Sequence, residues 1–85
     1  MILIVEDNKA LRLMTGKALE KDGYSIMTAS NGREALSIME DVTPELIISD
    51  VVMPEMDGFE FLRKVRENDI LTPIIMLTVK SDLND

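Results

Sequence analysis

The stretch Glu45-Leu-Ile-Ile-Ser-Asp50-Val-Val-Met-Pro54-Glu-Met-Asp57-Gly58 decides how this chain is read. Leu46 to Ser49 is a short apolar run bounded by turn residues, the pattern of a buried strand. It delivers a lone carboxylate, Asp50, to the strand end. Met53-Pro54 and Asp57-Gly58 then turn the chain into a helix start, so they are read as structural. A carboxylate so placed is positioned to do chemistry.

Outward from this stretch, short β-branched runs alternate with longer amphipathic ones, which predicts a parallel sheet. Ile2 to Glu6 is apolar until its last residue, as expected for a central strand covered on both faces. Asn8 caps a helix over Lys9 to Lys21, with Leu11, Met14, Ala18 and Ala10, Leu13 as its apolar face and Gly23 as its stop. Tyr24 to Thr28 is the second strand. Asn31 with Glu34 reads as a capping box opening a helix with Ala35, Leu36, Ile38 and Met39 inward. A third helix from Asp57-Gly58 presents Phe59, Leu62 and Val65, and Pro73 to Leu77 is a fourth strand. The βαβαβαβ order with right-handed crossovers predicts an α/β fold with an open doubly wound parallel sheet, strand order 2-1-3-4.

Composition bounds the function. The chain has 85 residues, 46% of them hydrophobic and 29% charged, with 9 basic against 16 acidic residues for a net charge of −7. One soluble globular domain over residues 1–85 is expected. There is no cysteine, so neither a disulfide framework nor a thiolate metal site is available, and a reducing cytoplasm is compatible. Charge begins at Glu6, which makes the apolar start too short for a signal segment or a membrane span of about 20 residues. A pI near 4.4 argues against direct nucleic-acid binding, which needs clustered Lys and Arg.

Ligands of such a sheet bind outside the carboxyl ends of the strands, where Glu6, Asp7, Asp50 and Thr78 fall. Three acids in one crevice repel each other, which is tolerable if some protonate or if a divalent cation sits among them. Magnesium, with its preference for oxygen ligands and its habit of sharing substrate phosphate, is the natural candidate. Asp50 can then attack a phosphoryl group in line, and the Thr78 hydroxyl can donate to one of its oxygens. The alternative reading of Glu6 and Asp7, as a helix cap alone, is disfavoured because two acids abutting a buried strand make a costly cap. Asp50 alone reads as a loop cap and Thr78 alone as an ordinary strand residue. The seven methionines read as core filler, and Arg63 to Glu67 as a solvated helix face.

Ile-Leu-Ile-Val-Glu6-Asp7, Asp50 with Met53-Pro54 and Asp57-Gly58, and Leu77-Thr78 together closely resemble the receiver domain of two-component response regulators, a flavodoxin-like fold. The resemblance implies a phosphoacceptor module rather than an enzyme. A histidine kinase or phosphotransfer domain would donate its phosphoryl group to Asp50, forming 4-aspartylphosphate. Glu6 and Asp7 would belong to the Mg2+ site, Val52 would offer it only a backbone carbonyl, and Thr78 would be the switch hydroxyl. Arg12 stands where many receivers carry an arginine.

Receivers usually continue through a fourth helix, a fifth strand ending in a lysine before proline, and a fifth helix, and this sequence stops short of them. The fifth strand also carries an aromatic residue that couples to the switch hydroxyl. The lysine would stabilise the developing anion, and neither Lys9 nor Lys80 is suited to replace it. Val79 stands where a small residue is often found. Without a fifth strand, Ile74 to Leu77 becomes an apolar sheet edge, so homo-oligomer formation through the fourth strand is expected. The second function to weigh is therefore a truncated receiver-derived fragment that works as a self-associating scaffold. A phosphatase with an aspartate nucleophile generally wants a second acid two residues on, where this chain has Val52.

Overall fold

Four parallel strands form one sheet in the order β2-β1-β3-β4, as the computed structural model of the chain shows; it describes residues 1–68 and 70–77. β1 (Ile2–Val5) is flanked by β2 (Ile26–Ala29) and β3 (Leu46–Asp50), and β3 carries β4 (Ile74–Leu77) on its outer side. The helices α1 (Lys9–Lys21), α2 (Gly32–Ile38) and α3 (Gly58–Glu67) alternate with the strands. Thr78, Val79 and Lys80 lie outside the described residues.

Alternation along β1 builds two layers. Leu3 and Val5 join Ala29, Ile47, Ala35, Met39, Met53, Phe61 and Val65 in a core beneath α2 and α3. On the opposite face α1 approaches through Gly16, where a Cβ would meet Ile26, Thr28 and Ile4 at ordinary contact distance. α1 thus packs on Ile4, Ile26 and Thr28 by its smallest residue, and its expected apolar stripe is left largely uncovered. Leu11, Leu13 and Met14 are exposed, Met14 to 66%, and Leu11, Met14 and Ala18 edge a groove over Ile48, Ile75 and Leu77. Met27 is exposed as well, so two of the methionines read as filler face outward.

Several boundaries differ from expectation for local reasons. Tyr24 belongs to the end of α1 rather than to β2. Its amide reaches the Leu19 carbonyl at 3.1 Å while the Gly23 amide reaches Glu20 at 2.9 Å, with Gly23 at φ 96°. This two-bond closure satisfies carbonyls that the last helical turn leaves free, and only glycine enters that backbone region without strain. β1 stops at Val5, although the Glu6 amide still bonds the Ala29 carbonyl at 3.0 Å. β3 runs one residue further, through Asp50, and β4 begins at Ile74 because Pro73 has no amide to donate.

The capping residues stand as read. Asn8, Asn31 and Asp57 accept from the amides of Leu11, Glu34 and Glu60 at 2.9, 2.8 and 2.9 Å. The box at α2 is displaced by one residue: Glu34 reaches the amide and hydroxyl of Ser30 rather than the amide of Asn31. These bonds hold the Glu34 carboxyl below its ordinary range. In α3 the buried aromatic is Phe61, fully enclosed, whereas Phe59 is 62% exposed. Gly58, Phe61 and Val65 share one helical stripe that Gly58 anchors against the sheet, which turns Phe59 outward.

Candidate functional site

Two strand ends make the site. β1 stops at Val5 and hands the chain to Glu6 and Asp7; its neighbour β3 ends on Asp50 itself. Parallel pairing of Val5 with Ser49 sets these ends side by side at the carboxyl edge of the sheet. One carboxylate oxygen from each of Glu6, Asp7 and Asp50 lies within 4.8 Å of the other two. Asp50 is buried, Glu6 is half-buried, and Asp7 is exposed. The site is therefore a crevice with one wet wall.

The surrounding backbone fixes these acids from both sides. Arg12, one turn into α1, donates from Nη1 to the Glu6 carbonyl at 2.8 Å, and the Asn8 amide donates to a Glu6 carboxylate oxygen at 3.0 Å. Beyond Asp50 the Val51 amide bonds the Leu77 carbonyl at 3.1 Å, and the Val51 carbonyl accepts from Gly58 at 2.8 Å. The loop between them carries Val52. Its side chain faces solvent, and its amide lies 3.4 Å from Asp50 Oδ1, a long contact. Glu55, in the same loop, adopts φ 69°.

The acidic crevice also shifts the titration of Glu6. Burial raises its carboxyl above the ordinary value, the Asn8 amide opposes this, and the neighbouring Asp50 and Asp7 push it up further. The Asn8 amide opposes the rise more strongly than either neighbouring carboxylate adds to it, and burial keeps the net shift upward, so the three acids remain in conflict without a counter-charge. A hard divalent cation removes the conflict at its source, and an all-oxygen donor set with one open side fits Mg2+, which keeps several waters. The three-carboxylate cluster is thus chemically matched to such an ion.

Glu6, Asp7 and Asp50, expected from strand order alone, are brought together. Val52 stands next to Asp50 in the loop, and Thr78 lies outside the described residues, one position beyond Leu77. Two participants carry roles that sequence reasoning did not assign. Arg12 ties the acidic turn to α1, for which only its position on the helix gave a hint. Gly58 reads in the sequence as a helix start, and its close approach to the Asp50 backbone has no sequence signal apart from the glycine itself.

Comparison with known proteins places this geometry in context. Residues 2–85 match the model of the response regulator receiver domain. The alkaline phosphatase synthesis transcriptional regulatory protein PhoP of Bacillus subtilis is 40% identical over 81 residues, covering 95% of this chain and 34% of that protein. The chain thus spans about a third of the length of that relative. The solved chemotaxis response regulator CheY4 of Vibrio cholerae superposes with a TM-score of 0.88 at 43% identity, over 94% of this chain and 68% of the other. The response regulator TrrA of Thermotoga maritima, solved in complex with Mg(2+)-BeF, gives a TM-score of 0.86 at 35% identity, covering 98% of this chain and 72% of that one.

Proposed function

The chain belongs to the response regulator receiver family of two-component signal transduction, and from that premise we propose that Asp50 is its phosphoacceptor, charged by a histidine kinase or phosphotransfer domain in the cytoplasm. The observation that carries this reading is the convergence of Glu6, Asp7 and Asp50 at two adjacent strand ends. Glu6, Asp7, Asp50 and the Val52 carbonyl are assigned to hold Mg2+, and Thr78 to donate its hydroxyl to a phosphoryl oxygen. Bound there, the cation supplies charge neutralisation to the transferring phosphoryl group.

The chain's own contribution is placement. A carboxylate oxygen of Asp50 forms the new O–P bond as the N–P bond of the donor phosphohistidine breaks, and the imidazole departs with the electron pair. The Asp50 backbone is held for this by its place at the end of a paired strand, which presents the carboxylate beside Glu6 and Asp7. Asn8 and Arg12 fix Glu6 from its carboxylate and its carbonyl, which keeps the acidic crevice assembled between turnovers. Incubating the chain with Mg2+ and acetyl phosphate tests the reading. An intact-mass adduct abolished by Asp50→Asn is expected, and the absence of any Asp50-dependent adduct overturns it.

A specific observation also supports the scaffold reading. Among the described residues β4 pairs only with β3, and its Ile75 and Leu77 are 47% and 45% exposed. An apolar strand with a free edge is a template for pairing with a second copy. Self-association would use the edge of β4 that faces away from β3, whereas Asp50 lies on β3 opposite Leu77, and sedimentation analysis decides whether it occurs.

A further inference from the structure

We infer that Gly58 is a positioning residue for the candidate site, needed because the start of α3 is pressed directly onto the backbone of Asp50 and Val51. A Cβ on Gly58 would stand 2.5 Å from the Asp50 carbonyl oxygen and 2.9 Å from the Val51 Cα, with the Met76 sulfur at 3.2 Å. The reason for glycine here is space, since Gly58 is not among the residues with positive φ. Neither backbone atom can retreat freely. Asp50 is registered against Leu77, and the Val51 amide is bonded to the Leu77 carbonyl, so withdrawal opens the β3–β4 ladder.

A side chain at position 58 therefore moves the helix rather than the strand. That movement breaks the 2.8 Å bond from the Gly58 amide to the Val51 carbonyl, the bond that closes the loop bearing Val52. The loop then loses the tether that aims the Val52 backbone and the Asp50 carboxylate into one crevice. Gly32 makes an informative contrast. Its missing Cβ also faces a close neighbour, but that neighbour is the Met56 sulfur at 2.8 Å, the end of a flexible side chain. Two buried glycines thus separate a backbone constraint from a packing one.

This inference rests on the proposed Mg2+ site, and the experiment keeps the two apart. The isotopically labelled 85-residue chain is titrated with Mg2+ while amide signals are followed, for the wild type, Gly58→Ala and Gly32→Ala, with thermal melts alongside. Gly58→Ala is expected to shift the Val51 and Val52 amides before any metal is added and to weaken Mg2+ binding roughly tenfold, the scale set by groups that orient metal ligands. Gly32→Ala is expected to bind as the wild type does. Wild-type affinity in a folded but less stable Gly58→Ala overturns the inference.

If Gly58→Ala does not fold, Asp57→Ala loosens the same helix start by removing its cap on the Glu60 amide. The inference then requires weaker Mg2+ binding in that variant, and unchanged binding overturns it. A wild-type chain that takes up no Mg2+ sinks the functional reading alone. The Val51 and Val52 amide shifts of the variant then decide the role of Gly58.

Discussion

Arg12 reaches across the first β-to-α connection to donate to the carbonyl of Glu6 at 2.8 Å, tying the acidic turn to the helix that follows it. A charged donor in a partly buried bond contributes roughly 1.5–3 kcal/mol, toward the lower end where solvent competes. Arg12→Met is therefore expected to lower stability by about 1–2 kcal/mol in urea unfolding. Arg12→Lys recovers only part of this, because an ammonium lacks the planar fork of the guanidinium.

Glu6 and Glu34 make opposite pH dependences. Glu6 titrates above its ordinary value when folded, so the native state holds the extra proton and stability falls as pH rises through the unfolded and then the folded value. Glu34 titrates below its ordinary value, so its contribution is present at neutral pH and is lost as pH falls through the folded value. Melts without Mg2+ should show Glu6→Gln more stable than wild type at neutral pH, with the advantage gone in acid. Glu34→Gln should lose stability at neutral pH only. Adding Mg2+ should reverse the order for Glu6→Gln, which has lost a ligand charge.

Core packing under α3 gives a sharp contrast between near neighbours. Phe61→Ala should cost about 3–5 kcal/mol, as expected for emptying a fully enclosed aromatic position. Phe59→Ala should stay within about 0.5 kcal/mol, since Phe59 faces solvent. Denaturant midpoints of the two variants at constant slope check this.

Edge pairing predicts a concentration dependence. Sedimentation velocity should show the chain self-associating, and Ile75→Lys, which sets a charge on the free edge strand, should return it to monomer. A wild-type monomer at all concentrations removes the scaffold reading and leaves the phosphoacceptor proposal intact.

Much of this architecture is legible in the sequence because its signals are local and chemically singular. Asn8 and Gly23 bound α1 where a side-chain acceptor and a positive φ are needed, and both ends stand as read. The strand order follows from alternation and the handedness of crossovers, and it carries Glu6, Asp7 and Asp50 to one edge. Helix phase is harder to read. Apolar spacing allows Phe59 to face inward, and the close approach of Gly58 to the Asp50–Val51 backbone at the end of β3 turns it out. The same limit applies to α1, where Gly16 packs on the sheet while Leu11 and Met14 edge an open groove beside Ile48, Ile75 and Leu77. Propensity and spacing describe an element alone; its rotation belongs to the packing.

The position of β1 also has a consequence for the order of assembly. β1 is an interior strand, and its ladders are with residues 26–29 and 46–49. No strand can pair with its immediate successor by a tight hairpin, because every connection is a helical crossover. During synthesis β1 therefore stays apolar and unpaired on its β3 side until Leu46 to Ser49 has been made. Folding of this short chain should be slower than that of a helical bundle of equal length, and chaperone dependence should concentrate on Ile2 to Val5.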